Sequence, residues 1–300
     1  MSDFVHGGWS LFVVVATLVS LAACLVLLFI ASRRRPMAAD NSTGHVFDDD
    51  LTELNNPLPR WWMVMFVLSV AFALAYVVVF PGLGSVPGWL RWTSHDELAA
   101  DQKLAADGMA KIYGPYRQLG AEALSNDAKA MAIGQRLFIN NCATCHGSDA
   151  RGSKGFPDLT DADWLHGGSP AKIEETITLG RTGTMPPMAG AVGDAKDVSD
   201  LAHYVLSLSG TSYNSIAAYS GKPKFAVCAA CHGADGKGNQ VLGAPNLADK
   251  VWLHGWGEAA ISDIVRQGKT SVMPAQGGRM TPDQIHLLGS YVWSLSKPSR

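Results

Sequence analysis

The chain has 300 residues, 47% of them hydrophobic and only 17% charged, with a formal charge of −2. That length suits about two domains, and the near-neutral balance, with neither half strongly basic, excludes an electrostatically driven nucleic-acid binder. Charge is also sparse compared with the quarter or so found in soluble domains, which directs attention to where the apolar residues are concentrated.

Residues 1–9 lead into an uncharged run at 10–31 (SLFVVVATLVSLAACLVLLFIA), long enough for a bilayer, which takes about 20 residues. A cleaved signal peptide is the competing reading. The segment before the run is not basic, however, and the ASRRRP that ends it has the character of a stop-transfer flank. Cys24 lies inside the run without an evident mate and reads as a bystander thiol. A second span is expected at 61–80 (WWMVMFVLSVAFALAYVVVF), with Trp61, Trp62 and Tyr76 suited to the membrane interfaces. Arg33, Arg34, Arg35 and Arg60 fall in the intervening segment 32–60, and no Lys or Arg precedes the first span. Orientation follows such basic residues, so this loop is expected in the cytoplasm. The N-terminus and everything from residue 81 are then expected on the opposite side, which in a bacterial inner membrane is the periplasm.

Residues 81–124 begin with a Gly/Pro-broken exit (PGLGSVPGWLRW) and continue into a spacer helix. Ser94 with Glu97 offers a capping box for a helix reaching Ile112. Beyond residue 125 the chain repeats itself. FPDLTDADWLHGG aligns with APNLADKVWLHGW, LGRTGTMPP with RQGKTSVMPA, and LAHYVLSLS with LGSYVWSLS. The repeats imply two small units, 125–208 and 221–300, joined by 209–220. The first opens with a helix capped by Ser125 or Asn126, with Ile133, Leu137 and Phe138 on its apolar side. It closes with a helix bearing Leu201, Tyr204, Val205 and Leu208 at helical spacing. The second closes with Thr281 as N-cap, Pro282 at the first helical position and Gln284 completing a capping box. Leu287, Leu288, Tyr291, Val292 and Leu295 form its stripe, and Pro223 interrupts its opening helix. Cores this small are marginal unaided.

Four of the five cysteines lie in equivalent places in the two repeats, in CATCHG from Cys142 and CAACHG from Cys228. C-x-x-C-H is the attachment sequence for a c-type haem. Cys142 with Cys145, and Cys228 with Cys231, would bond the porphyrin, while His146 and His232 become iron ligands. Zinc needs about four ligands, more than one cysteine pair and scattered histidines supply, and a thioredoxin-like pair needs a βαβ context. Met185 and Met273, each followed by Pro in a Gly/Thr-rich loop, are the expected sixth ligands. Methionine beside histidine raises the reduction potential. Met188 and Met280 are expected to pack around the pocket. His166 and His254, each in WLHG, are the rival ligands. His203 and His286 read as surface or helix-packing residues. Ligation within each repeat is the simpler arrangement, with exchange between repeats left open. Carbonyls near Phe156-Pro157 and Ala244-Pro245 are candidates to hold the proximal histidines, and Arg181 and Lys269 to meet haem propionates.

GHVFDDDLTELNNPLPRWW (residues 44–62), followed by a span and PGLG, resembles the CcoP/FixP family, the membrane-anchored dihaem subunit of cbb3-type cytochrome c oxidases. The likeness covers nearly the whole chain. It implies a mainly α protein of two N-terminal transmembrane helices and two tandem class I cytochrome c domains carrying two covalent haem c groups. The family's axial roles would fall on His146, Met185, His232 and Met273. The histidines of WLHG stand where relatives are expected to carry Tyr. The resemblance further implies a subunit that is not an enzyme on its own. It would pass electrons from a donor cytochrome c, by way of a monohaem cytochrome c subunit, towards a haem–copper catalytic subunit, amid membrane lipid and without nucleic acid. A wire for another periplasmic oxidoreductase and, less simply, a dihaem peroxidase or gas sensor are the alternatives.

Overall fold

The computed structural model describes residues 6–33, 41–54 and 56–297. Arg34 and Arg35, used in the orientation argument, lie outside them, as do residues 1–5 and Asn55 of NNPLPRWW. The chain forms two compact units, residues 1–107 and 108–300.

The first unit contains α1 (Gly7–Ser32) and α2 (Arg60–Val79), both long and apolar enough to cross a membrane. Helix α1 starts earlier than hydropathy implies because His6 caps it, its Nδ1 accepting the Gly8 N–H at 3.2 Å. Most of the large apolar side chains on both helices are exposed, as lipid-facing residues are. The exit segment folds back on the pair. Ser85 N–H donates to Ser10 Oγ (2.8 Å), and the amides of Trp89 and Leu90 donate to the carbonyls of Val78 and Val79. The start of α1 and the end of α2 therefore lie together, as expected of two antiparallel spans. Between them the chain forms a hairpin that hydropathy did not announce, β1 (Ser42–Phe47) antiparallel to β2 (Leu51–Leu54). Helix α3 (Ser94–Tyr113) follows, capped one residue before the expected Ser94. Thr93 Oγ1 accepts the Asp96 N–H (3.0 Å) and donates to the Asp96 carboxylate.

The second unit opens with α4 (Ala121–Ser125) and α5 (Ala128–Asn141). Neither Ser125 nor Asn126 caps α5: Ser125 ends α4, and the Asp127 carboxylate accepts the N–H groups of Lys129 and Ala130. Next come α6 (Ala143–His146), α7 (Pro170–Leu179), β3 (Arg181–Met185), α8 (Ala189–Val192) and α9 (Ala195–Leu208). The joining stretch 209–220 is partly helical, since α10 spans Ser215–Gly221 and gives way to a 3₁₀ turn where Pro223 stands. Then follow α11 (Ala229–His232), α12 (Glu258–Gln267), β4 (Lys269–Met273) and α13 (Pro282–Leu295). Helix α13 has the expected capping box of Thr281 and Gln284.

Repeats in sequence are not the packing units. Helix α13, which closes the second repeat, packs on α5 and α7 of the first and on α4 just ahead of it, whereas α9, which closes the first repeat, packs on α12 of the second and on α10 of the joining stretch. Strands β3 and β4 pair antiparallel at the crossing, with Arg181 opposite Met273 and Met185 opposite Lys269. The result is a continuous inner body between the two strands, nested in an outer body assembled from the segments before and after it. The outer core joins Phe138, Ile173, Ile177, Met280, Ile285, Leu288 and Val292. The inner core joins Val198, Leu201, Val205, Phe225, Ile261 and Val265. Polar contacts fasten α13 to the outer body: Arg117 makes a bidentate pair with Asp283, and His286 sits between Glu174 Oε1 and the Leu119 carbonyl, 2.8 Å from each.

Replacing fully buried Leu288 by Ala should cost about 2–5 kcal/mol. Segment-resolved hydrogen exchange should show lost protection in α5 and α7, far along the chain from the substitution, and unchanged protection in α9 and α12. Loosening of α9 and α12 instead would contradict the nested arrangement.

Candidate haem sites

Each C-x-x-C-H string folds into the same single turn. The amides of Cys145 and His146 donate to the Cys142 carbonyl at 3.1 and 3.0 Å, and those of Cys231 and His232 to the Cys228 carbonyl at 3.1 and 2.9 Å. Cys142 and Cys228 are half-buried, and Cys145 and Cys231 are exposed. His146 and His232 are buried, at 9% and 8% exposure. The carbonyls expected near the two prolines are in place: His146 Nδ1–H donates to Pro157 O at 3.1 Å, and His232 Nδ1–H to Pro245 O at 3.0 Å. Gly152 and Gly238 make this possible. Their amides bind the carbonyls of His146 and His232 (2.7 and 2.8 Å), and their φ angles are +66° and +81°. A Cβ would lie 2.2 Å from Phe156 O in one loop and 2.5 Å from Ala244 O in the other. With Nδ1 committed to a carbonyl, Nε2 is the nitrogen left to bind a metal.

The electrostatics agree with that role. Burial lowers the His146 pKa, against an opposing contribution from the Pro157 bond, so the ring is neutral at neutral pH and offers a lone pair. Burial, reinforced by the neighbouring cysteine, pushes the Cys142 thiol up to about 11 and raises that of Cys228. Reactive or metal-binding thiolates need the opposite shift. Among the described residues no three His, Cys, Asp or Glu side chains gather as a metal-ion site.

The methionines lie across the repeats. Met185 packs against the inner core, as Cys228 does, and Met273 packs against the outer core, as Cys142 does. The β3–β4 ladder is what carries each methionine strand to the core that the other repeat's first cysteine joins. Met188 and Met280 pack in the inner and outer cores respectively, as lining residues should. Each tryptophan of WLHG stays with its own cysteines, Trp164 in the outer core and Trp252 in the inner.

Other sequence candidates have ordinary partners or neighbours. Arg181 donates to Thr176 Oγ1 and to Glu175 Oε1, each at 2.9 Å. The ring of His166 lies against Gly243 of the second repeat, where an added Cβ would approach Cε1 to 2.2 Å. Burial and then the charge of Arg181 lower the His166 pKa; burial and then Lys269 and Lys154 lower that of His254. His203 faces Glu258 at 3.4 Å and accepts the Asn214 N–H, and His286 braces α13, so both serve helix packing. Sequence reasoning assigned no role to Trp252, whose indole Nε1–H is buried without a hydrogen-bond partner. A buried donor of this kind costs about 1–3 kcal/mol and suits a bound group that brings its own acceptor. Haem c fits the residues present at each site: two thiols on one turn, an imidazole with Nε2 free, a thioether and an apolar lining. At the inner site the Trp252 N–H is also available to a propionate.

Comparison with known proteins points the same way. Residues 39–93 match the family described as the N-terminal domain of cytochrome oxidase-cbb3, FixP. Residues 129–205 and 224–292 each match cytochrome C oxidase, cbb3-type, subunit III. The chain is 59% identical over 299 residues to the cbb3-type cytochrome c oxidase subunit CcoP of Rubrivivax gelatinosus, covering 100% of this chain and 98% of that protein. It is 41% identical over 276 residues to subunit FixP of Azorhizobium caulinodans (85% and 92% covered) and 39% identical over 285 residues to FixP of Bradyrhizobium diazoefficiens (86% and 96% covered). With both repeats and the segment ahead of them matched, the chain belongs to the CcoP/FixP family, the haem-binding subunit III of cbb3-type cytochrome c oxidases.

Proposed function

We propose that the chain is a two-haem electron conduit anchored in the bacterial inner membrane. It accepts electrons on the periplasmic side from a donor cytochrome c and delivers them, through the monohaem cytochrome c subunit, towards the haem–copper catalytic subunit. The observation that carries this reading is the presence, in one folded unit, of two C-x-x-C-H turns, each with its imidazole aimed by a proline carbonyl and a methionine packed in the same core. Arg33 and Arg60 beside the two spans support the orientation.

Packing favours ligand exchange between the repeats: His146 with Met273, and His232 with Met185. Cys142 and Cys145 would tether one haem, Cys228 and Cys231 the other. Each bound haem supplies a one-electron iron couple. The protein's own residues set its conditions. The Pro157 and Pro245 carbonyls fix the imidazole tautomer and strengthen Nε2 as a donor. The thioethers of Met185 and Met273 would serve as iron ligands that favour the reduced state and leave no room for other ligands, which weighs against the peroxidase and gas-sensor readings. Met188 and Met280 help exclude water. Two contacts brace the inner and outer bodies: Gly155 N–H donates to Leu253 O (2.7 Å), and Gln240 Nε2 to Trp164 O (3.0 Å). Such bracing keeps the separation of the two centres constant.

Purification from native membranes in mild detergent, through a tag on this chain, should recover haem b and copper with the c-type haem and show donor-dependent oxygen uptake. Recovery of c-type haem alone, under conditions that keep other respiratory complexes intact, would refute the oxidase assignment. Met273→His should lower the potential of the haem on Cys142 and Cys145 and leave the other unchanged, and Met185→His should do the reverse. If each substitution moved the haem of its own repeat, the exchanged ligation would be wrong. Trp252→Phe should shift only the potential of the haem on Cys228 and Cys231. It should also cost the holoprotein about 1.5–3 kcal/mol, the value of a hydrogen bond to a charged group, as read from redox titration and thermal unfolding.

A further inference from the structure

The β1–β2 hairpin is not accounted for by electron transfer. Phe47 and Leu51 pair across one face, and Val46 and Leu54 lie on the other. All four are exposed, at 57, 60, 55 and 54% respectively. A two-stranded hairpin is marginal by itself, and one with bare apolar side chains on both faces needs a surface to cover it. Its tip is Asp48, Asp49 and Asp50, with Asp48 and Asp49 at φ of +48° and +68°. Asp tolerates the left-handed conformation as Asn does, but three successive carboxylates repel one another. Asn or Gly would satisfy such a turn without that repulsion. Near the base, Thr43 Oγ1 donates to Glu53 Oε2 (2.8 Å), which leaves the tip as the concentrated negative charge.

Charge decides between two surfaces near the membrane. The cytoplasmic leaflet is anionic and repels this tip. Cytoplasmic loops of multispanning proteins are enriched in Lys and Arg and attract it. We propose that the hairpin is a docking element that seats its apolar faces and acidic tip on the basic cytoplasmic loops of the oxidase's membrane-embedded partner subunit. This rests on the cytoplasmic orientation and oxidase membership proposed above. The haem units would then be free of the task of holding the complex together on the other side.

The full-length chain in its native membranes provides the test. p-Benzoylphenylalanine placed at Phe47 should, on irradiation, give an adduct with a haem b-containing membrane subunit identified by mass spectrometry. The combined variant Asp48→Lys, Asp49→Lys, Asp50→Lys should reduce that adduct at least tenfold with c-haem content unchanged. Separately, a Cys placed at Asp49 should react with a membrane-impermeant maleimide only from the cytoplasmic side. Cytoplasmic labelling and co-purified copper, but an adduct only with lipid or none at all, would overturn the docking proposal and leave the conduit reading standing. Labelling from the periplasmic side, or absence of haem b and copper from the wild-type preparation, would overturn the orientation or the oxidase reading and the docking proposal with it.

Discussion

Antiparallel pairing of β3 with β4 is the constraint on which the haem-bearing unit depends. Opposing Arg181 to Met273 and Met185 to Lys269 brings together two segments far apart in the chain, and each ends or begins at an elements' crossing. One short ladder thereby decides which core each methionine joins and which closing helix completes which core. Without it, the strong similarity of the repeats would allow each to close on itself. With it, α9 joins α10 and α12, and α13 joins α5 and α7. The ladder is short and partly exposed, so its own hydrogen bonds contribute modestly. Its effect is chiefly topological, selecting one of two ways to bury the same apolar faces.

Much of this was legible in the sequence because local chemistry determined it. The spans follow from uninterrupted apolar runs, the turns at Cys142 and Cys228 from their motif, and the α13 start from Thr281, Pro282 and Gln284. The carbonyls of Pro157 and Pro245 could be anticipated because a buried imidazole needs a partner for Nδ1. Misplacements were small where competing caps lay adjacent: Thr93 in place of Ser94, and Asp127 in place of Ser125 or Asn126. What the sequence could not reveal was non-local. Two closing helices with interchangeable apolar stripes, Leu201 and Val205 on one and Leu288 and Val292 on the other, fit either core by periodicity. Neither motif spacing nor propensity records which partner each finds. The β1–β2 hairpin escaped notice for another reason, since its strands are short and their alternation has no buried face to mark.

The two sites also show how polar groups are managed in small cores. His146 and His232 are the main buried titratable rings, and each has a carbonyl on one nitrogen. Among the described residues, Trp252 Nε1 and Ser262 Oγ are the buried side-chain atoms left without a partner. A core that leaves a donor unpaired in this way is built around something besides its own side chains. That accords with the limited apolar surface each body can bury unaided and with the haem binding characteristic of the family.

Nesting has a further consequence for the order in which the molecule is made. The inner body is contiguous, so all of its elements, α8 through α12, have been synthesised before β4 emerges, and its paired ends make it a tolerable insertion in the outer one. Once folded, it holds β3 and β4 close together, and the outer body need not close a long flexible loop at full entropic cost. The outer body, by contrast, waits for α13. The core that holds the first attachment turn, Cys142 to His146, therefore cannot be completed until the last helix of the chain has been made.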